Sequence, residues 1–182
     1  HVPVDVSSIP DAVPVNEPRS KYGNSEKYTV FGKQYTTLTS SQGFRQTGYA
    51  SWYGTKFHGK RTSNGEVYDM YAMTAAHKRL PLPSYVRVTN QENGKSIIVR
   101  VNDRRPFDGD RIIDLSYVAA LKLDIVKNGT APVVIETVDG NGDATVGPSE
   151  KIVQVGAFSD KTNAEQVQIK LAQASITSDI QT

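Results

Sequence analysis

The chain has 182 residues, 37% hydrophobic and 22% charged, with a net charge of +2. That length suits one domain with extensions, or one domain and part of a second. No stretch approaches the 18 or so apolar residues of a membrane span. The basic residues form no aromatic-interleaved stripe, so no nucleic-acid partner is expected. With no cysteine, disulfides, thiolate metal sites and a cysteine nucleophile are excluded.

The first 21 residues, "HVPVDVSSIPDAVPVNEPRSK", hold four prolines. They read, together with residues 22–26, as an extended, polyproline-prone tether. "KYTVFGKQYTTL" (27–38) is rich in Tyr, Thr and Val and predicts a strand pair turning at Gly32. From Gly48 the β signals crowd: "GYASWYG", "SYVRVTN", "SIIVRVN" and "APVVIETV" are short runs bounded by Gly, Pro, Asn or Asp. Asn93-Gly94 in "QENG" is a hairpin signal joining the second and third of these. "MTAAHKRL" (73–80) predicts a short helix stopped by Pro81. "DLSYVAALKLDI" predicts another, with Ser116 as N-cap and Leu115, Ala119 and Leu123 on one face. Many short strands with one or two short helices predict a mainly β fold, a small barrel over 27–138 with its core in 48–138. "DGNGDATVGPSE" (139–150) is a linker by composition. Residues 151–182 begin as a strand and continue as a helix, which is half of a second domain.

Asp103 follows the apolar run "IIVRV" and precedes Arg104, Arg105 and Pro106. It is either an Asx turn or ion-pair partner at a strand end, or a carboxylate at a barrel rim tuned by guanidinium groups. Glu66 follows the turn Asn64-Gly65 and is either solvated or a second acid, with Asp69 competing. His77 is either a packed histidine or a site residue. No G-x-S-x-G elbow supports a serine triad. His58 and His77, 19 apart and without an HExxH, do not make zinc, so no metal or cofactor is expected. Asp139, Asn141, Asp143 and Glu150 have the spacing of a calcium loop, but Ala144 stands where the loop needs glycine. Tyr49, Trp52, Tyr53 and Phe57 either fill the barrel or offer a platform for sugar rings. Tyr49 and Tyr53 would share one face of a strand, with Trp52 on the other.

"GYASWYGTKFHGKRTSNGEVYD", "MTAAHKRLPLPSYVRVTN", "NGKSIIVRVNDRRPF" and "DRIIDLSYVAALKL" together resemble the rare lipoprotein A (RlpA) family, over about residues 48–138. "KIVQVGAFSDKTNAEQVQIKLA" resembles the start of a SPOR domain, and the proline-rich start resembles the family's tether, without its lipidated cysteine. The resemblance implies a six-stranded double-psi β-barrel, shared with expansins. It implies a lytic transglycosylase that cleaves the β-1,4 bond between N-acetylmuramic acid and N-acetylglucosamine, on strands stripped of stem peptides. The alternative it leaves is a non-catalytic, expansin-like wall-binding or wall-loosening module, and a third is a division-site scaffold. The implied address is the periplasmic face of the outer membrane, at the septum, reached only through the absent lipidated cysteine; the expected state is a monomer.

The family's catalytic aspartate, glutamate and histidine fall on Asp103, Glu66 and His77. Trp52, Tyr53, Phe57, Asn102 and Arg104 are the expected substrate-binding residues. One carboxyl can serve both steps of the reaction, first as acid and then as base. Asp103 is assigned that role, which calls for a raised pKa, so the adjacent arginines should point away or grip substrate. Glu66 would stabilise charge or position sugar, and the two assignments can be swapped. His77 would orient one of them through a hydrogen bond. The family pattern reads N-D-R-G-P, and Arg105 stands at its glycine; a positive φ there would strain the turn beside Asp103.

Overall fold

The computed structural model of the chain describes residues 5–107 and 110–146. The SPOR-like segment 151–182 and the end of the linker lie outside the described residues.

Among the described residues, eight strands and one α-helix are formed: β1 (Lys27–Val30), β2 (Lys33–Thr36), β3 (Arg45–Trp52), β4 (Thr74–Ala76), β5 (Ser84–Asn90), β6 (Ser96–Asp103), β7 (Arg111–Leu115), α1 (Tyr117–Lys122) and β8 (Ala131–Thr137). Six of the strands close a barrel in the order β3-β7-β4-β6-β5-β8. The β3–β7 and β4–β6 pairs are parallel, and the other neighbours run antiparallel. The expected six-stranded barrel is therefore the observed architecture. Strands β5 and β8 alternate buried and half-buried residues along their whole length, the period-2 pattern of a strand with one face on a core. Val86, Val88, Val99, Val101, Ile113, Leu115, Val133 and Ile135 fill the interior.

Local signals agree with the structure where the chain satisfies itself locally. The β1–β2 pair is a separate two-stranded sheet turning at Phe31-Gly32. β5 and β6 are joined through Gly94, whose φ is +76. Ser116 caps α1 by accepting a hydrogen bond from the Ala119 N–H.

One expectation is corrected. Residues 73–80 form no helix. Thr74–Ala76 is strand β4, lying between β6 and β7. Without it the barrel would carry two open edges, so ladder hydrogen bonds across the gap override a weak helix propensity. The proline-rich start, expected as an extended tether, makes contacts with the barrel. Val6–Ser8 makes a single 3-10 turn, and Val6, Ile9 and Ala12 pack against the core. The Ala12 N–H donates to the Ile98 carbonyl at 3.0 Å and the Ser20 N–H to that of Leu82 at 2.9 Å. Val13 and Val15 of the same segment stay exposed, while Asp11 pairs with Lys122 at 3.0 Å.

Candidate active site

A cleft of about 640 Å³ opens at the end of β6, within the ~300–1,000 Å³ range of small-ligand sites. Its walls come from the β1–β2 tip (Val30, Phe31), the segment after β3 (Tyr53, Phe57), the loop Lys60–Ser63, and Asp103 to Phe107. Asp103 is the last residue of β6, and its carboxylate is held by four donors. Oδ1 accepts from the Ser63 N–H (2.8 Å), the Ser63 hydroxyl (2.6 Å) and the Arg104 N–H (2.8 Å). Among the described residues Oδ2 accepts from the Tyr53 hydroxyl alone, at 2.8 Å. Oδ1 is thus saturated and Oδ2 keeps a lone pair for a further proton or donor. Burial first, and then the Asp103 charge, raise the Tyr53 pKa far above its ordinary value. Tyr53 therefore stays a phenol and a donor. Its ring stacks on Tyr68 with centroids 4.4 Å apart, which fixes where the hydroxyl points.

The loop carrying Ser63 also carries Glu66. Arg61 bridges to Val67, the Thr62 N–H donates to the Glu66 carbonyl at 2.7 Å, and Gly65 turns at φ +94, where a side chain would be strained. This tight loop grips β6 twice. Ser63 binds Asp103, while the Glu66 carboxylate takes Arg100 (Nη2 to Oε2, 2.8 Å) and the Asn102 amide (3.0 Å). Asn102 and Asp103 are consecutive, so their side chains leave the strand in opposite directions. Glu66 and Asp103 are brought close in the fold, yet only Asp103 is among the residues lining the cleft. The Arg100 hydrogen bonds hold the Glu66 carboxyl below the usual range, although its side chain is 39% exposed. Arg100 binds Glu17 of the N-terminal segment as well, at 3.0 Å.

His77 is 1% exposed and stands behind Asp103. Its Nδ1 accepts from the N–H groups of Arg79 (3.0 Å) and Leu80 (3.2 Å). The ring proton therefore sits on Nε2, which donates to Gln46 Oε1 at 2.9 Å. Burial, reinforced by Arg104, Arg79 and Lys78, pushes the imidazole down to about 3. The link to Asp103 runs through the backbone: the His77 N–H donates to the Asp103 carbonyl at 3.0 Å. Arg104 is turned inward. Nη1 donates to the carbonyls of His77 (3.1 Å) and Leu80, and Nε to that of Gly23 (3.2 Å). Burial lowers its pKa to about 10.

Arg105 points the other way, into the cleft. Its guanidinium lies 4.5 Å from the Phe57 ring centroid and 5.4 Å from that of Tyr53. Nε donates to Asp114 Oδ2 at 3.2 Å. Arg105 is not among the residues of positive φ, so the strain expected of an arginine at the glycine position is not present. Asp114, missed in the sequence, is the second carboxylate of the cleft wall, nearly fully buried and bonded to the Ser51 hydroxyl. Its signal was there: one acid inside the apolar run "RIIDL". Ser63 carried no such signal, since a serine in a polar loop is ordinary. Of the expected aromatics, Tyr53 and Phe57 line the cleft and Trp52 does not. Trp52 leans on Tyr117 of α1, centroids 5.5 Å apart.

Comparison with known proteins gives a consistent picture. Residues 45–135 match the model of a double-psi-barrel family described as lytic transglycolase. The chain is 60% identical over 136 residues to the endolytic peptidoglycan transglycosylase RlpA of Pseudomonas aeruginosa, covering 75% of this chain and 39% of that one. It is 58% identical over 136 residues to the protein of the same name from Vibrio cholerae, covering 75% and 51%. With that of Neisseria meningitidis it shares 54% over 142 residues, covering 78% and 59%. The chain thus spans between 39% and 59% of the length of these relatives.

Proposed function

Because the chain belongs to the RlpA family of double-psi-barrel lytic transglycolases, we propose that it cleaves the β-1,4 bond from N-acetylmuramic acid to N-acetylglucosamine within peptidoglycan strands, leaving a 1,6-anhydro end. The observation that carries this reading is Asp103: a carboxylate fixed by four donors, at the wall of a sugar-sized cleft, with one oxygen only singly bonded.

The chemistry needs one acid–base group. Protonated Asp103 gives its proton to the glycosidic oxygen as the bond to the anomeric carbon breaks. Positive charge builds on that carbon, as in any glycoside cleavage. The sugar's own 6-hydroxyl closes on it, and Asp103 Oδ2 takes the hydroxyl proton. One C–O bond breaks, one forms, and no water is consumed. Because the attack is intramolecular, orientation contributes up to about 7–11 kcal/mol. The Tyr53 hydroxyl and Ser63 hold the carboxylate in place. Glu66 acts at one remove, fixing Arg100 and Asn102 and hence the strand that presents Asp103. His77 acts as a positioning residue through its backbone N–H.

We take the preferred substrate to be strands without stem peptides. Among the described residues the cleft wall carries Lys60, Arg61, Arg104, Arg105 and Arg111 against Asp103 and Asp114. A stripped muramic acid exposes a lactyl carboxylate that a cationic wall attracts; the stem peptide converts it to a neutral amide. Arg105, stacked in the cleft, is the candidate partner. The envelope address at the outer membrane and septum is proposed from the family alone.

The test is digestion of amidase-stripped peptidoglycan in water enriched in oxygen-18, with products read by mass spectrometry. The expected result is unlabelled, anhydro-terminated saccharides from the wild type and none from Asp103→Asn. Labelled reducing ends would make the enzyme a hydrolase. Equal product from Asp103→Asn would remove Asp103 from the mechanism.

A further inference from the structure

The β1–β2 turn carries an anomaly that the chemistry at Asp103 does not use. Its two central residues, Phe31 and Gly32, have φ of +51 and +80. That is a left-handed turn of the kind that favours Asn-Gly or Asp-Gly. Phenylalanine at the first position is a backbone outlier. The same side chain is 97% exposed, more than any other large apolar residue described. A lone exposed apolar residue is ordinary. One that is also held in a strained turn, and that sits on the wall of the catalytic cleft with Val30, is not.

The arm that carries Phe31 is anchored. Tyr28 and Tyr35 stack at 5.4 Å, and both rings pack on Phe107 at 6.2 and 5.1 Å. The Tyr28 hydroxyl donates to the Lys78 carbonyl at 2.6 Å, and the Arg104 guanidinium lies 6.0 Å from the Tyr28 ring. Folding therefore secures the base of the hairpin and leaves its tip bare. Nothing lies within 4 Å of where a Cβ on Gly32 would be. The strain and the exposure of Phe31 have no return among the described residues.

We infer that Phe31 is a sugar-stacking subsite at the rim of the cleft, holding a pyranose ring of the same glycan strand away from the scissile bond. The inference rests on the glycan reading above. The occupant follows from continuity: the residue lines the cavity that contains Asp103, and the C–H face of a pyranose is the flat apolar surface that an aromatic face receives. A rigid arm with a bare aromatic end would add binding without touching the reacting atoms.

The test compares wild type, Phe31→Asn and Phe31→Trp on amidase-stripped strands. Asparagine suits the turn, so the variant keeps or raises its melting temperature. The expected catalytic result is a KM about five- to tenfold higher, the worth of one aromatic stacking contact, with the loss falling on KM rather than kcat and with Phe31→Trp restoring it. An unchanged KM, a loss confined to kcat, or a lower melting temperature in Phe31→Asn overturns the subsite. So does loss of binding to anionic phospholipid vesicles with glycan kinetics intact, which would assign the tip to a membrane surface. If the wild type itself yields no anhydro product, the catalytic reading fails separately. Co-sedimentation of wild type and Phe31→Asn with stripped sacculi then decides the subsite: weaker binding by the variant supports it, equal binding overturns it.

Discussion

Replacing His77 by asparagine separates a structural histidine from a catalytic one. Folded His77 titrates at about 3, whereas an unfolded histidine titrates at about 6.5. As pH falls the unfolded chain takes up the proton first. The stabilisation from keeping the ring neutral is therefore complete above about 6.5 and declines from there down to about 3. At pH 5, about 1.5 units below the unfolded value, the loss is about 2 kcal/mol at 1.36 kcal/mol per unit. Asparagine can still accept from the Arg79 and Leu80 N–H groups, as Nδ1 does. It loses the bond to Gln46 and the edge contact with Phe44, at a cost of about 1–3 kcal/mol near pH 8. Urea unfolding of both proteins at pH 8 and pH 5 should show the stability gap narrowing by about 2 kcal/mol at the lower pH. Arg100 holds Glu17 and Glu66 low in both proteins, so their titration cancels in the difference. A gap constant to within about 0.5 kcal/mol would mean that His77 is not held neutral. The kcat/KM profile should keep its shape in the variant; loss of a limb near neutral pH would make the imidazole itself an acid or base.

Tyr53→Phe removes the donor to Asp103 Oδ2 and keeps the ring stacked on Tyr68. Initial rates should show kcat lowered about 10- to 100-fold, the worth of a hydrogen bond to a charged group, with KM little changed; an unaltered kcat would refute the role given to the phenol. Arg105→Gln keeps bulk in the cleft but removes the cation over Phe57 and the partner of Asp114. The ratio of kcat/KM for stripped over peptide-bearing strands should fall several-fold, with about 1–3 kcal/mol lost in stability because Asp114 is nearly fully buried and loses a partner; an unchanged ratio would take Arg105 out of substrate choice.

Sequence determines the contacts between atoms a few residues apart. Gly32, Gly94 and Ser116 each settle a turn or a cap with neighbours three or four positions away. The strand runs carry their own period, and the long motifs around Glu66, His77 and Asp103 identified the family before any contact was known. What sequence order could not supply is which partner each side chain meets once the barrel closes. Arg100 binds Glu66 and Glu17, 34 and 83 positions away, so Glu66 turns off the cleft wall while Ser63 of the same loop turns onto Asp103. Within residues 73–80, Thr74–Ala76 become strand β4 because β6 and β7 need one between them. His77 supports Asp103 by its backbone, not its ring. Asp114 acquires importance only from Ser51 and Arg105. Local geometry follows from each residue's own bonds and nearest neighbours; the site follows from strand register, where a shift of one residue exchanges the face turned to the core for the face turned to solvent.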